Sequence, residues 1–304
     1  MSPKKIVVTG GTGLIGSALV DSLRTRGDDV IVLTRGGGTT SWNPAEGELD
    51  SGLIAGVDAV VNLNGVSIGP SSLVKAPSMR WTDNHKAEIL NSRVDSTRLL
   101  AEAIASEDEK PGVFVSGSAI GYYGDTGDAA VDESDPNGDG FLASVVAAWE
   151  AAAEPARVAG VRTVMPRTGI VLARDGGALA PLLPLFKAGL GGPIGNGRQW
   201  WSWITLRDEV RALELLIDGD LEGPVNLTAP NPVTQREFAT VVAAELKRPA
   251  VIPAPRFALD LILGKGLAEA IGYGSSRVLP SRLEDAGFTF TSATLEQGIA
   301  EILR

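Results

Sequence analysis

Apolar residues in the first half of the chain follow two alternating rhythms. Short continuous runs occur at Ile6-Val7-Val8, Val30-Ile31-Val32-Leu33, 57–63, Val113-Phe114-Val115 and 161–165. These runs are predominantly apolar without strict alternation, as strands buried on both sides are. Between them, apolar residues recur at helical spacing. Leu14, Ala18, Leu19 and Leu23 share one face of a segment that closes at Gly27. Similar spacing predicts helices over about 84–105 and, alanine-rich, about 142–159. Continuous strands separated by helices predict an α/β fold with a doubly wound parallel sheet.

The rhythm breaks after Arg167. Gly176-Gly177, Pro181, Pro184, the glycines between 189 and 197, and Trp200, Trp201 and Trp203 interrupt it. A helix over about 207–217 and a strand over 224–227 resume it. The remainder reads as helices over 235–246, 257–270 and 293–303. The expected organisation is therefore a nucleotide-binding sheet from 1–167, rejoined by about 205–229. A smaller, mainly helical C-terminal lobe for substrate would come from 168–204 and 230–304.

The strongest local signal is Thr9-Gly10-Gly11-Thr12-Gly13-Leu14-Ile15-Gly16. It follows the first strand directly and opens the first helix, the context a dinucleotide fingerprint requires. Early glycines permit the tight turn and close approach to a pyrophosphate, and the last lets helix and strand pack. The helix N-terminus presents free N–H groups to the phosphates. Gly10, Thr12, Gly13, Leu14, Ile15 and Gly16 are the candidate contacts. About 20 residues on, an acid usually grips the adenosine ribose. Here the second strand ends Leu33-Thr34-Arg35-Gly36, with no acid. A guanidinium at Arg35, after Thr34, suits a 2′-phosphate, so the expected cofactor is NADP(H). The alternative is a solvated loop arginine.

Composition narrows the chemistry. The chain has 304 residues, no cysteine and a single histidine, His85. Thiolate nucleophiles, disulfides and cysteine–zinc sites are excluded, and so is a metal site built from several histidines. A net charge of −10 disfavours a phosphate backbone as partner. The start, Met1-Ser2-Pro3-Lys4-Lys5, leads into too short an apolar run for a secretory signal. No stretch approaches the roughly 18 apolar residues of a membrane span. A cytoplasmic protein with a small-molecule substrate is expected, and neither nucleic acid nor membrane as partner.

Several further segments are distinctive. Thr9–Gly16, Asp58-Ala59-Val60-Val61-Asn62-Leu63, and Ser116-Gly117-Ser118 with Tyr122-Tyr123-Gly124 resemble the extended short-chain dehydrogenase/reductase family. Arg80-Trp81-Thr82, Lys86 with Ser92-Arg93, and Pro166-Arg167-Thr168-Gly169-Ile170-Val171-Leu172 are more similar to its atypical epimerase-like branch, which carries a DUF1731 segment. So are Gly191-Gly192-Pro193-Ile194-Gly195, Gly197-Arg198-Gln199, Trp203-Ile204 and the tail around Leu279-Pro280, Arg282-Leu283 and Ala286-Gly287-Phe288. The resemblance spans essentially the whole chain. It implies a Rossmann fold and cofactor contacts from Leu63, Asn64, Gly65, Ser116 and Pro166.

The resemblance also implies a serine plus a Tyr-x-x-x-Lys pair, the lysine lowering the tyrosine pKa for proton exchange. Ser118 matches the serine. The family spacing, however, places Leu142 and Val146 where the tyrosine and lysine belong, and neither carries a proton. Tyr122 or Tyr123 could replace the donor, with Arg93 or Lys86 lowering its pKa, or both could be packing residues. Arg93 occupies the position of a structural asparagine. It could hold a substrate carboxylate or phosphate, or simply be a salt-bridged helix arginine. The branch commonly has histidine at the position of Thr205. His85 reads as a surface residue, and Asp125, Asp128, Asp132, Glu133 and Asp135 as a solvated loop without a metal. The tryptophan cluster either walls a pocket or covers the sheet. Two functions fit: an NADP(H)-dependent oxidoreductase of the epimerase-like type, or a dinucleotide-bound regulatory protein without turnover. Relatives pair through helices at 84–105 and 141–159, so both monomer and homodimer remain open.

Overall fold

The computed structural model describes residues 2–35, 38–69, 81–250, 253, 257, 260, 261 and 264–304. The apolar runs become strands β1 (Lys5–Thr9), β2 (Asp29–Leu33), β3 (Ala59–Asn62), β4 (Val113–Ser116), β5 (Arg162–Thr168) and β6 (Gly223–Leu227). They pair in the order β6-β5-β4-β3-β1-β2, every pair parallel. The short strand Ser118–Ala119 also joins β5. This is the doubly wound Rossmann-type sheet that the pattern predicts. From β1 the chain moves outward to β2, then crosses back to β3 on the other side. The order reverses between β1 and β3, and ligands sit at the strand ends beside such a reversal.

Alternate residues face opposite sides, and both sides are covered. Val8, Val61 and Val115 pack under helices α1 (Leu14–Arg26) and α4 (Leu206–Asp218) through Leu19, Leu23, Leu213 and Leu216. Val7, Val60 and Phe114 face Leu100 and Ile104 of α2 (Asp83–Ser106) and Ala153 and Ala156 beyond α3 (Phe141–Ala151). Burying each Val or Leu contributes roughly 1.5–3 kcal/mol, which explains why apolar residues dominate the runs. A separate core gathers Leu172, Leu179, Phe186, Trp201 and Trp203 with Phe238 and Val242 of α5 (Gln235–Glu245) and Ile299 of α6 (Leu295–Leu303).

Two expectations change in detail. The single helix over 142–159 is two, α3 and a short helix Glu154–Val158. Pro155 stands in the first turn of the second, where a missing N–H costs nothing. Of the helix expected over 257–270, the described residues 257, 260, 261 and Lys265–Ala268 are helical, followed by a wider turn Glu269–Tyr273. Most of 251–263, Gly36 and Arg80 lie outside the described residues.

The acidic loop 125–135 is no mere solvated turn. Asp128 Oδ1 accepts from Trp200 Nε1 (3.1 Å), and Asp132 Oδ2 accepts from Ser281 Oγ (3.1 Å). Glu133 Oε1 accepts from the backbone N–H of Asn226 (2.8 Å) on the outermost strand β6. Burial pushes the Glu133 carboxyl above its ordinary range. Arg282 Nη1 donates to the carbonyls of Glu222 and Pro224 (2.6 Å each). Side chains from the acidic loop and the C-terminal segment thus occupy edge-strand groups that another strand would otherwise pair with.

Candidate functional site

The glycine turn is built for close backbone approach. Gly10 has φ +68°, and a Cβ there would lie 2.5 Å from the Leu63 carbonyl oxygen. A Cβ on Gly16 would fall inside the contact radius of the Gly10 carbonyl. Gly13 N–H donates to Gly10 O (2.9 Å), and Gly13 caps α1 without a side-chain bond or any acid in the first turn. The first bond into the helix is Ser17 N–H to Gly13 O (2.9 Å). The N–H groups of Leu14, Ile15 and Gly16 therefore have no helical acceptor. Thr12 and Gly13 are exposed, so an anion can reach this end. The residues fit a dinucleotide pyrophosphate.

Beyond β2, Thr34 N–H donates to Thr40 O and Thr34 O accepts from Trp42 N–H (3.0 Å each). This bent loop leaves Arg35 exposed at the second strand's end. Across the switch point runs a buried polar chain. Thr9 Oγ1 donates to Asn62 Oδ1 (2.6 Å), Asn62 Nδ2 donates to Thr97 Oγ1 (2.8 Å), and Trp149 Nε1 donates to the same Thr97 oxygen (3.0 Å). Asn64 N–H reaches Asn62 Oδ1 (3.3 Å), and Asn64 Nδ2 donates to Ser92 O (3.3 Å). Leu63, Asn64 and Gly65 are thereby fixed beside the glycine turn. Ser116, at the end of β4, has a buried Oγ with no partner among the described residues. Pro166 is buried in β5. Its missing N–H falls opposite the break between β4, which pairs as far as Val115, and Ser118.

Glu150 and Arg167 were not singled out from the sequence as site residues, yet they organise the floor of the site. Arg167, 3% exposed, grips Glu150 with two bonds, Nε to Oε1 (2.8 Å) and Nη2 to Oε2 (2.9 Å). Ser118 Oγ donates to Glu150 Oε1 (2.6 Å). Arg167 Nη1 donates to the Tyr123 hydroxyl (2.9 Å), which donates to Asn226 Oδ1 (2.8 Å). The Arg167 guanidinium also lies 3.4 Å from the Tyr122 ring centre. Burial opposes the charge on Arg167, but Glu150 and Tyr123 outweigh it and hold the guanidinium more firmly protonated than usual. Burial pushes the Tyr123 hydroxyl up to about 12, even beside Arg167. Its proton and its acceptor lone pair are both engaged within the fold, an arrangement that does not suit a proton donor to substrate. The available signal was a charged pair set in apolar sequence: Arg167 in a strand run and Glu150 in an alanine-rich helix.

A cavity of about 1330 Å³ opens at the C-terminal ends of the strands. Leu14 lines it from the glycine turn, Ser67–Gly69 from beyond β3, Ala119–Gly121 from beyond β4, and Thr168–Val171 from the end of β5 and beyond. One wall is α3, including Leu142 and Val146, the two positions where the resemblance implies tyrosine and lysine. Packed beside it is α2, which lines the cavity with Lys86, Ile89 and Arg93, one and two turns apart. Arg93 Nη1 donates to Val66 O and Ile89 O (3.0 Å each), and the guanidinium lies 5.1 Å from the Trp149 ring centre. Burial lowers its pKa to about 10, so it stays charged at neutral pH. No carboxylate among the described residues is ion-paired with it. Ser118, Tyr122 and Tyr123 are not among the lining residues.

The tryptophans divide. Trp200 and Trp201 line the cavity, whereas Trp203 is fully buried in the second core with its Nε1 on Asn231 O (3.1 Å). Thr205 caps α4 by accepting from Asp208 N–H (3.1 Å). His85 Nδ1 lies 3.4 Å from Glu88 at the start of α2, away from the cavity lining. On the other side of Thr168 is Glu209, fully buried in α4. Its Oε1 accepts from Thr168 Oγ1 (2.7 Å), and its Oε2 has no partner among the described residues. Burial pushes its carboxyl up to about 8. Among the described residues, no group of acids or histidines could hold a metal ion, and no helix is long and apolar enough to cross a membrane.

Residues 6–227 match the NAD dependent epimerase/dehydratase family, and residues 254–302 match a domain of unknown function, DUF1731. An epimerase family protein of Mycobacterium leprae is 42% identical over 300 residues, covering 97% of this chain and 94% of its own. The human epimerase family protein SDR39U1 (isoform 2), crystallised with NADPH, superposes with a TM-score of 0.86 at 33% identity, covering 98% of both chains. A nucleoside-diphosphate sugar epimerase of Corynebacterium glutamicum superposes at 0.79 and 34% identity, covering 99% of this chain and 58% of its own.

Proposed function

The chain belongs to the NAD dependent epimerase/dehydratase family, and from that premise we propose that it is an NADP(H)-dependent oxidoreductase acting on a small molecule. The observation that carries this reading is one continuous site. A glycine turn with free helix amides lies at the strand ends with an exposed arginine after β2, and its Leu14 lines the chamber. Leu14 to Gly16 would hold the pyrophosphate, Thr34 and Arg35 the 2′-phosphate, and Leu63 to Gly65 with Ser116 and Pro166 the inner half of the dinucleotide. The NADPH in the human relative supports that choice of cofactor. When bound, the nicotinamide supplies or accepts a hydride. The sheet residues 1–167 and 205–229 form the cofactor half in this reading, and 168–204 with 230–304 shape the substrate half.

Among the residues expected to act on substrate, Arg93 touches the chamber. We place Ser118 and Tyr123 as supports of its floor through Glu150, Arg167 and Asn226, and Tyr122 as the ring on which Arg167 stacks. Tyr122→Phe and Tyr123→Phe are then expected to keep turnover of any substrate found. Loss of turnover at full cofactor binding would restore a proton-donor role to either. One observation favours a second reading, a dinucleotide-bound protein without turnover: Leu142 and Val146 stand in the chamber wall where a proton-transferring pair would be. The test is NADPH oxidation followed at 340 nm across a panel of ketones, aldehydes and enones. Oxidation by any member supports the enzyme. Stable NADPH across the panel, in a chain that binds it, supports the second reading.

A further inference from the structure

We infer that the chamber binds an apolar molecule through a single carboxylate held by Arg93. The inference deepens the oxidoreductase reading by naming the class of its substrate. Three features of the chamber carry it. First, the guanidinium is half used. Nη1 spends its hydrogens on Val66 O and Ile89 O, and Nε and Nη2 make no hydrogen bond to a described residue. The remaining edge, Nε with Nη2, is the fork that takes both oxygens of a carboxylate. The backbone bonds, the Trp149 ring and the Gly65 backbone hold the fork in place: a Cβ on Gly65 would lie 3.1 Å from Arg93 Cζ. A preset fork loses little entropy on binding an anion.

Second, charge is sorted across the chamber. Among the described lining residues, the cations are Lys86 and Arg93, both half-buried on α2. Lys86 lies over the Phe141 ring (5.4 Å) and has no acidic partner among the described residues. The acids Asp125, Asp139 and Glu269 are all exposed, at the rim. An anion entering past that rim meets positive charge only deep in the chamber. A cationic head would stay at the mouth.

Third, most of the chamber lining is apolar. Leu142, Val145 and Val146 of α3, which packs beside α2, line the chamber, and Leu182, Phe186 and Trp201 line it as well. Leu185 and Leu190 line the chamber and are also exposed, so the apolar surface reaches the opening. A half-buried guanidinium in such surroundings gains from meeting an anion. A ligand with one charged end and an apolar body satisfies both.

The probe is decanoate, compared with decanol and decyltrimethylammonium, on the full chain with NADP+ present. Quenching of tryptophan fluorescence reads binding, because Trp81, Trp149, Trp200 and Trp201 line the chamber. A charge-assisted fork predicts that decanoate binds at least about 10-fold more tightly than decanol, and that decyltrimethylammonium binds weakest. Arg93→Gln should bring decanoate down to decanol while leaving decanol unchanged, and Arg93→Lys should keep part of the preference. Equal affinity for decanoate and decanol in the unaltered protein overturns the inference, whether or not the variants fold. An unchanged preference in folded Arg93→Gln overturns it too. The cofactor reading fails separately: if NADPH, NADP+, NADH and NAD+ all leave the melting temperature unmoved, that reading is lost even where decanoate still discriminates.

Discussion

Arg35 and Arg93 are the two arginines with most to say about ligands, and their surroundings are opposite. Arg35 is exposed at the end of β2, free to swing onto a phosphate. Hydrogen bonds to charged groups contribute about 1.5–3 kcal/mol, so Arg35→Ala should weaken NADPH by roughly 10- to 100-fold and leave NADH unchanged. Equal losses for both nucleotides would instead mark Arg35 as a general loop support. Glu209 makes a different prediction, in pH. Its carboxyl is raised from an ordinary 4.5 to about 8. Below 4.5 it is protonated in both folded and unfolded chains. Between these values only the folded chain keeps the proton, so stability falls as pH rises, by up to about 1.4 kcal/mol per unit, and levels off above 8. Glu209→Gln keeps an acceptor for Thr168 without the titration. Urea midpoints of the two proteins should lie closest near pH 5 and diverge towards pH 8, the variant being the more stable there. Parallel curves would mean that Glu209 titrates normally.

Elements inherit these constraints. The glycine turn, the two-rhythm sheet and the loop arginine were legible in the sequence because each depends on neighbours in the chain. The floor was not, because Ser118 and Tyr123, Glu150, Arg167 and Asn226 come from four separate segments. Their partnership exists only after β4, β5 and β6 align. Nor could spacing say which tryptophan faces the chamber, since Trp201 and Trp203 share a strand-like alternation and one core, yet only Trp201 also lines the chamber. The break in the alanine-rich helix was readable in principle from Pro155, which tolerates only a first helical turn. Two variants test the elements. Gly16→Ala drives a methyl into the Gly10 carbonyl and should abolish cofactor-induced stabilisation as well as lower the melting temperature. Arg167→Met strands Glu150 in the interior, and breaking such a buried pair costs about 3–5 kcal/mol. Adding Glu150→Gln should recover part of that loss, and a urea-derived double-mutant cycle would measure how much. Purely additive losses would show that the two residues act independently.

At the scale of the whole molecule, the chamber is assembled by distant parts of the chain. Ser202 Oγ donates to Ser276 O (2.8 Å), Ser276 Oγ donates to Gly124 O (2.7 Å), and Asp208 accepts from the N–H groups of Thr291 and Ser292 (2.9 to 3.0 Å). A ligand that bridges sheet and lobe therefore stabilises the entire fold. NADPH at a hundred times its dissociation constant would add about 2.7 kcal/mol, a shift of roughly 2–10 °C for domains of this general size. A comparable shift from NADH, with no preference for the phosphorylated pair, would contradict the cofactor assignment.

The capping of β6 has a temporal meaning as well as a spatial one. Glu133 is synthesised before the strand it covers, but Arg282 emerges more than fifty residues after it. During translation the outer margin of the sheet is therefore left half-sealed until Arg282 has left the ribosome. A fragment ending near residue 230 would carry the complete parallel sheet with the Glu222 and Pro224 carbonyls unanswered along its rim. Such a fragment is expected to self-associate where the full chain does not, a difference that light scattering of the two would read directly.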